Sequence, residues 1–255
     1  ALGRLVFGVA TADVLGGYAT LAVRRAGQWR ELERAKNGVR GLNAVAGSPN
    51  VGVARAHVGV DLDAAVEGAI ASKYRNSGQT CVCANRFLVH ADVMDVFAEK
   101  LAAKVGQLPV GYGFDPGVQI GPLIDAAGLA KVESLMADAV DKGARVVCGG
   151  QADTRGGLYY QPTVIKGVRE DMRMMHEEIF GPVAPLFAFK TEAEALRMAN
   201  ATEFGLASYF YTRDPSRIFR VSEGLEYGMV GVNTGLMSSE VAPFGGVDGA
   251  GRHFR

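Results

Sequence analysis

The chain has 255 residues, 48% hydrophobic and 21% charged, the balance of a folded globular protein and not of a disordered one. Its 27 Lys and Arg residues offset 27 Asp and Glu residues, which excludes a basic footprint for nucleic acid and a polybasic membrane patch. Three cysteines are too few for a secreted disulfide framework, so a reducing cytoplasm is expected.

Residues 1–57 are rich in Gly, Ala and Arg and show no sustained strand–helix alternation. Arg4 and Asp13 interrupt the opening apolar stretch, which argues against a membrane span or a signal peptide. RELERAKNG, residues 30–38, predicts a short helix beside the one tryptophan, Trp29. Neither G-x-G-x-x-G nor G-x-x-x-x-G-K-[ST] occurs, so no phosphate-binding fingerprint is present.

From residue 61 the punctuation is clear. Residues 61–76 predict a helix with Ala64, Val66, Ala69 and Ile70 on its apolar side. RFLVH, residues 86–90, predicts a strand. A second amphipathic helix follows, aligning Val93, Val96, Phe97, Leu101 and Val105. Residues 109–123 form a loop dense in Gly and Pro. A helix from Asp125 to Lys142 ends at Gly143, a C-terminal cap. ARVVCGG, residues 144–150, predicts a buried strand holding Cys148. Thr191 and Glu194 form a capping box, and Asp214 with Pro215 opens another helix. YGMVGVN, residues 227–233, is strand-like. This alternation predicts an α/β fold with a mostly parallel sheet.

Chemistry concentrates at SGQTCVCANR, residues 77–86, where Cys81 and Cys83 are two positions apart. A small, polar, turn-like setting suits a thiol that faces a cleft, and backbone N–H groups there suit an oxyanion. A buried, inert Cys81 is the rival. For Cys83 the alternatives are a packed small residue and a strained disulfide with Cys81 under oxidation. C-x-C without a second Cys/His cluster cannot supply four metal ligands, so no metal is expected, and His90 and His176 read as core or surface residues.

NSGQTCVCANR resembles the active-site motif of the aldehyde dehydrogenase superfamily. The resemblance continues through FDPGVQIGPLI (114–124), EEIFGPV (177–183), FGLASYFYTRD (204–214), VGVNTG (230–235) and APFGG (242–246). YRNSGQTCVCANR and NTGLMSSEVAPFGG look most like the succinate-semialdehyde branch. The resemblance implies a catalytic domain over residues 58–255, preceded by a divergent segment, 1–57, with the N-terminal Rossmann-like domain largely missing.

It also implies roles. Cys81 matches the nucleophile, whose thiolate attacks an aldehyde and is left as a thioester for water to hydrolyse. Glu178 matches the carboxylate that holds the nicotinamide ribose, and Phe180 the aromatic beside the nicotinamide of NAD or NADP. Arg75 and Ser238 match positions that grip the far carboxylate of a semialdehyde, and an Arg fork suits a carboxylate. Phe244 matches an aromatic of the substrate tunnel. The implied partner is a small-molecule aldehyde, with homo-oligomers usual in the family and neither nucleic acid nor membrane involved.

Counting back to the family's general-base Glu reaches Gly47, and residues 46–60 contain no Glu. A positioned base contributes roughly 10²–10⁴-fold, so thioester hydrolysis is expected to be slow. After APFGGV the chain also leaves the family pattern. The first reading is therefore an incomplete copy of an NAD(P)-dependent aldehyde dehydrogenase acting on succinate semialdehyde. An inactive or partner-binding remnant and a cofactor-independent thiol esterase are the alternatives.

Overall fold

Strand β4 (Ala84–His90) shows how the sequence sorts itself into layers. All seven of its residues are buried, and they alternate between two cores: Leu88 enters one cluster, Phe87 and Val89 the other. The computed structural model describes residues 22–25, 28–31, 50–54, 62–236, 244–248 and 253–254.

Helices α1 (Leu62–Lys73) and α2 (Met94–Val105) cover one face of the sheet through Val66, Ala69, Phe97 and Leu101. Helices α3 (Ala126–Asp141), α4 (Glu192–Asn200) and α5 (Pro215–Gly224) cover the other through Leu135, Met198 and Val221. Helices on both faces of a parallel sheet follow from crossover connections.

The remaining strands are β1 (Ala22–Arg25), β2 (Gln28–Glu31), β3 (Asn50–Ala54), β5 (Arg145–Cys148), β6 (Thr163–Val168), β7 (Val183–Phe189), β8 (Phe204–Gly205), β9 (Ala207–Phe210), β10 (Met229–Val232), β11 (Gly246–Asp248) and β12 (His253–Phe254). Among the described residues the main sheet, nine strands with β4 among them, orders as β2-β1-β10-β9-β3-β4-β7-β6-β5, and β12-β11-β8 form a small antiparallel sheet. The run β10-β9-β3-β4-β7-β6 is parallel throughout, as the alternation predicts.

Helix boundaries that rest on local capping fall where expected. Asp125 accepts from the Gly128 N–H at 2.7 Å, Asp214 from the Arg217 N–H, and Gly143 takes φ +94°. At α4 the capping box is shifted by one residue. Thr191 accepts from the Glu194 N–H, but Glu194 reaches back to the Lys190 N–H.

Other expectations need correction. Arg30 and Glu31 belong to β2 instead of the expected short helix, and residues 32–38 lie outside the described residues; the described parts of 1–57 are three strands, with β3 inside the parallel sheet. Ala65 replaces Ala64 on the buried side of α1, and Val96 is 48% exposed. Strand β5 is an antiparallel edge strand, so Cys148 is half-buried instead of core.

Candidate active site

The turn between α1 and β4 carries Cys81. It is built from three consecutive residues in the left-handed region: Asn76 at φ +49°, Ser77 at +57° and Gly78 at +75°. Side chains hold this unusual path. Asn76 Nδ2 donates to the Gln79 carbonyl, and Ser77 Oγ donates to the Gly121 carbonyl at 2.9 Å. Gln79 spans to the same loop, donating to the Pro122 carbonyl and accepting from the Ile124 N–H at 2.8 Å. The NSGQ and GPLI motifs are thus two sides of one hydrogen-bonded corner.

The Cys83 N–H donates to the Thr80 carbonyl at 2.9 Å, closing a turn with Cys81 and Val82 at its tip. Cys81 is half-buried and packs on the α1–α2 core. Cys83 points inward, 5% exposed, with its sulfur 2.7 Å from Thr80 Oγ1. None of the three cysteines is in a disulfide.

A second segment, residues 177–181, docks beside this turn just before β7, the neighbour of β4 in the sheet. Asn85 of β4 grips it at two points flanking Glu178. Its Nδ2 donates to the Glu177 carbonyl at 3.0 Å, and its Oδ1 accepts from the Ile179 N–H at 2.7 Å. A Cβ placed on Gly78 would lie 2.1 Å from the Gly181 carbonyl oxygen, so the two backbones touch. Phe180 is held at φ +51° and is 37% exposed.

Burial pushes the Glu178 carboxyl up from its ordinary value, with Lys131 and Lys73 pulling the other way. No described residue donates a hydrogen bond to it. Lys73, at the end of α1, is 1% exposed. Burial pushes its ammonium down to about 8, resisted by Cys83 and Glu178. A lysine depressed in this way costs stability below its folded value and recovers it as pH rises toward 10.5. We expect Lys73→Met to stabilise the fold by about 3–4 kcal/mol at neutral pH, since each tenfold change in proton affinity is worth about 1.4 kcal/mol. Urea titrations across pH should show the gain fading between pH 8 and 10.5. A constant gain would contradict the burial penalty.

Of the other expected site residues, Arg75 opens the turn and its carbonyl lies 3.8 Å from the Cys83 sulfur. Phe244 is half-buried and packs on the same apolar cluster as Cys81 and Ile70. Ser238 lies outside the described residues, as does Gly47. Sequence reasoning does not single out Lys73 or Asn85. Asn85 finds its partner 92 residues away, so no local signal marks it, and Lys73 is the last residue of an ordinary helix pattern.

Comparison with known proteins places the chain in a family. The aldehyde dehydrogenase family model matches residues 47–254, a wider span than the motifs alone. This chain belongs to the aldehyde dehydrogenase family. Within that family it is 61% identical over 191 residues to succinate-semialdehyde dehydrogenase [NADP(+)] of Escherichia coli K12, a match covering 75% of this chain and 40% of that enzyme. It is 59% identical to glutarate-semialdehyde dehydrogenase of Pseudomonas aeruginosa, again over 75% of this chain and 40% of the relative. The solved succinate-semialdehyde dehydrogenase from Burkholderia pseudomallei superposes with a TM-score of 0.74 at 55% identity, covering 83% of this chain and 42% of that one. The chain therefore spans about 40% of the length of the curated relatives it matches. Among the described residues no helix is long and apolar enough to cross a membrane.

Proposed function

We propose that Cys81 is the nucleophile for NAD(P)-dependent oxidation of a short aldehyde with a carboxylate at its far end, succinate semialdehyde giving succinate. The observation that carries this reading is the docking of the Cys81 turn against the Glu178–Gly181 segment, through the Gly78–Gly181 contact and the Asn85 grip. The similar enzymes named for succinate and glutarate semialdehydes differ by one methylene in the substrate tail, so a carboxylate at the far end is the shared chemistry.

The Cys81 thiolate would attack the aldehyde carbon, forming the C–S bond and placing negative charge on the former carbonyl oxygen. In this reading the backbone N–H of Cys81, in the turn closed by Thr80 and Cys83, would donate to that oxygen. Arg75 and Ser238 would hold the substrate carboxylate, and Phe244 the apolar middle of the chain. A nicotinamide cofactor fits the second segment: Glu178 presents a half-buried carboxylate to which no described residue donates, suited to a ribose diol, and Phe180 presents an exposed ring. When bound there, NAD⁺ or NADP⁺ supplies the hydride acceptor. Water would then release the acid from the Cys81 thioester, slowly if no carboxylate replaces the family base.

The test is NADH or NADPH formation, followed by absorbance, with succinate semialdehyde and purified chain. We expect Cys81→Ala to abolish the signal while leaving the melting temperature within a few degrees, since a half-buried thiol contributes little packing. Equal rates in wild type and variant would remove Cys81 from the chemistry. Cys81-dependent hydrolysis of p-nitrophenyl acetate without any NAD(P)H signal would favour the thiol-esterase reading. A folded chain inert in both assays would favour the non-catalytic remnant.

A further inference from the structure

The tip of the Cys81 turn is tied from beneath by a residue far away in the chain. Tyr209 lies in β9, fully buried, on the sheet face covered by α1 and α2. Its phenol oxygen donates to the carbonyl of Val82, the residue after Cys81, at 2.6 Å. The Thr80 carbonyl is taken by the Cys83 N–H, and the Thr80 hydroxyl faces the Cys83 sulfur. The Val82 carbonyl is thus a point where the tip is anchored to the sheet. Cys81, Cys83 and Arg75 are the ionisable groups that bear on the phenol.

We propose that Tyr209 is a positioning residue for Cys81: its O–H fixes the Val82 peptide and thereby the direction in which the thiol is presented. The inference rests on reading Cys81 as the nucleophile. A phenol suits the task because it spans from a sheet strand to the turn with one rigid ring. Burial pushes its ionisation well above the ordinary value, so it stays a donor throughout the working pH range. Without the O–H, the Val82 carbonyl is a buried acceptor that has lost its donor, and its peptide is free to rotate toward another.

Tyr209→Phe removes the O–H and keeps the ring. The readout is the iodoacetamide alkylation rate of each cysteine in the full chain, resolved by mass spectrometry. We expect the Cys81 rate to fall about tenfold, the scale of one lost hydrogen bond, with Cys148 unchanged. Tyr227→Phe is the control. Tyr227 is also fully buried and donates to a carbonyl, that of Ala199 at 2.7 Å, in the opposite core. It should lower the melting temperature comparably and leave the Cys81 rate alone. An unchanged ratio of Cys81 to Cys148 rates in Tyr209→Phe would overturn the inference, as would a rise of both rates together, the mark of general loosening. The nucleophile reading fails on a different comparison, wild-type Cys81 reacting no faster than wild-type Cys148. The Tyr209 effect is still judged by the same ratio in that case.

Discussion

Arg86→Lys is expected to destabilise the protein by about 3–5 kcal/mol, more than Arg86→Met, although lysine keeps the charge. Arg86 is fully buried at the start of β4. Its guanidinium donates to the carbonyls of Met198, Ala199 and Ala201 at 3.1–3.3 Å and contacts the Tyr227 hydroxyl. These are the last carbonyls of α4, the ones a helix end leaves unpaired. The chain continues Ala201-Thr202-Glu203, with no glycine to turn the backbone into a left-handed cap, and Ala201 sits at φ −74°. Arg86 supplies the missing donors from the sheet.

The ranking follows from what each variant leaves behind. Lysine carries a compact, strongly hydrated ammonium into a site without a carboxylate hydrogen-bonded to it, and its reach and geometry cannot serve three carbonyls at once. Methionine also orphans the Met198 and Ala201 carbonyls, at about 1–3 kcal/mol each where burial persists, while Ala199 keeps the Tyr227 O–H, but it removes the desolvated charge. Thermal melts should show losses of about 10 °C for lysine, given roughly 2–4 °C per kcal/mol in a chain of this size. Hydrogen exchange should show fraying at the end of α4 in both variants. A lysine variant as stable as wild type would mean that charge, and not the fork of donors, is what the site requires.

What is legible in the sequence is local or matches a motif. Asp125, Thr191 and Asp214 cap helices with partners within three residues, so spacing alone finds them. Ala64 and Val96 are failures of phase: both lie one position from a buried stripe, and an amphipathic pattern fixes its edge only loosely. Strand β3 escapes sequence reasoning because NVGVA is short and carries glycine at its centre; its partners lie in β4 and β9, far along the chain. Cys148 goes astray for a related reason. VVC reads as a buried strand, but whether a strand is central or at the edge depends on pairing, which composition does not encode. At the site, the motifs bring out Cys81, Glu178 and Phe180. The residues that tie these segments in place, Asn85 and Tyr209, act through hydrogen bonds spanning 92 and 127 residues, which only the assembled sheet creates.

Gly78→Ala is the single-methyl change with the largest expected cost at the site. Two costs add. The position has φ +75°, where an L side chain costs about 1–2 kcal/mol. The new Cβ would stand 2.1 Å from the Gly181 oxygen, 2.5 Å from the Gly181 carbon and 3.1 Å from the Lys73 oxygen. All three are backbone atoms, so no rotamer change relieves the clash. The turn and the Glu178–Gly181 segment must move apart, and Asn85 pins the segment that would have to yield. A total loss above about 4 kcal/mol is expected, the range reserved for backbone strain and core disruption. Gly121→Ala provides the contrast. It belongs to the same corner, yet its Cβ would meet only Ser77 Oγ, at 3.9 Å. Its effect should stay within about 1 kcal/mol, since an alanine fits there without strain. Urea denaturation of the two variants decides the matter. If they lose comparable stability, the contact between the thiol turn and the carboxylate segment is not the tight backbone joint on which their common placement depends.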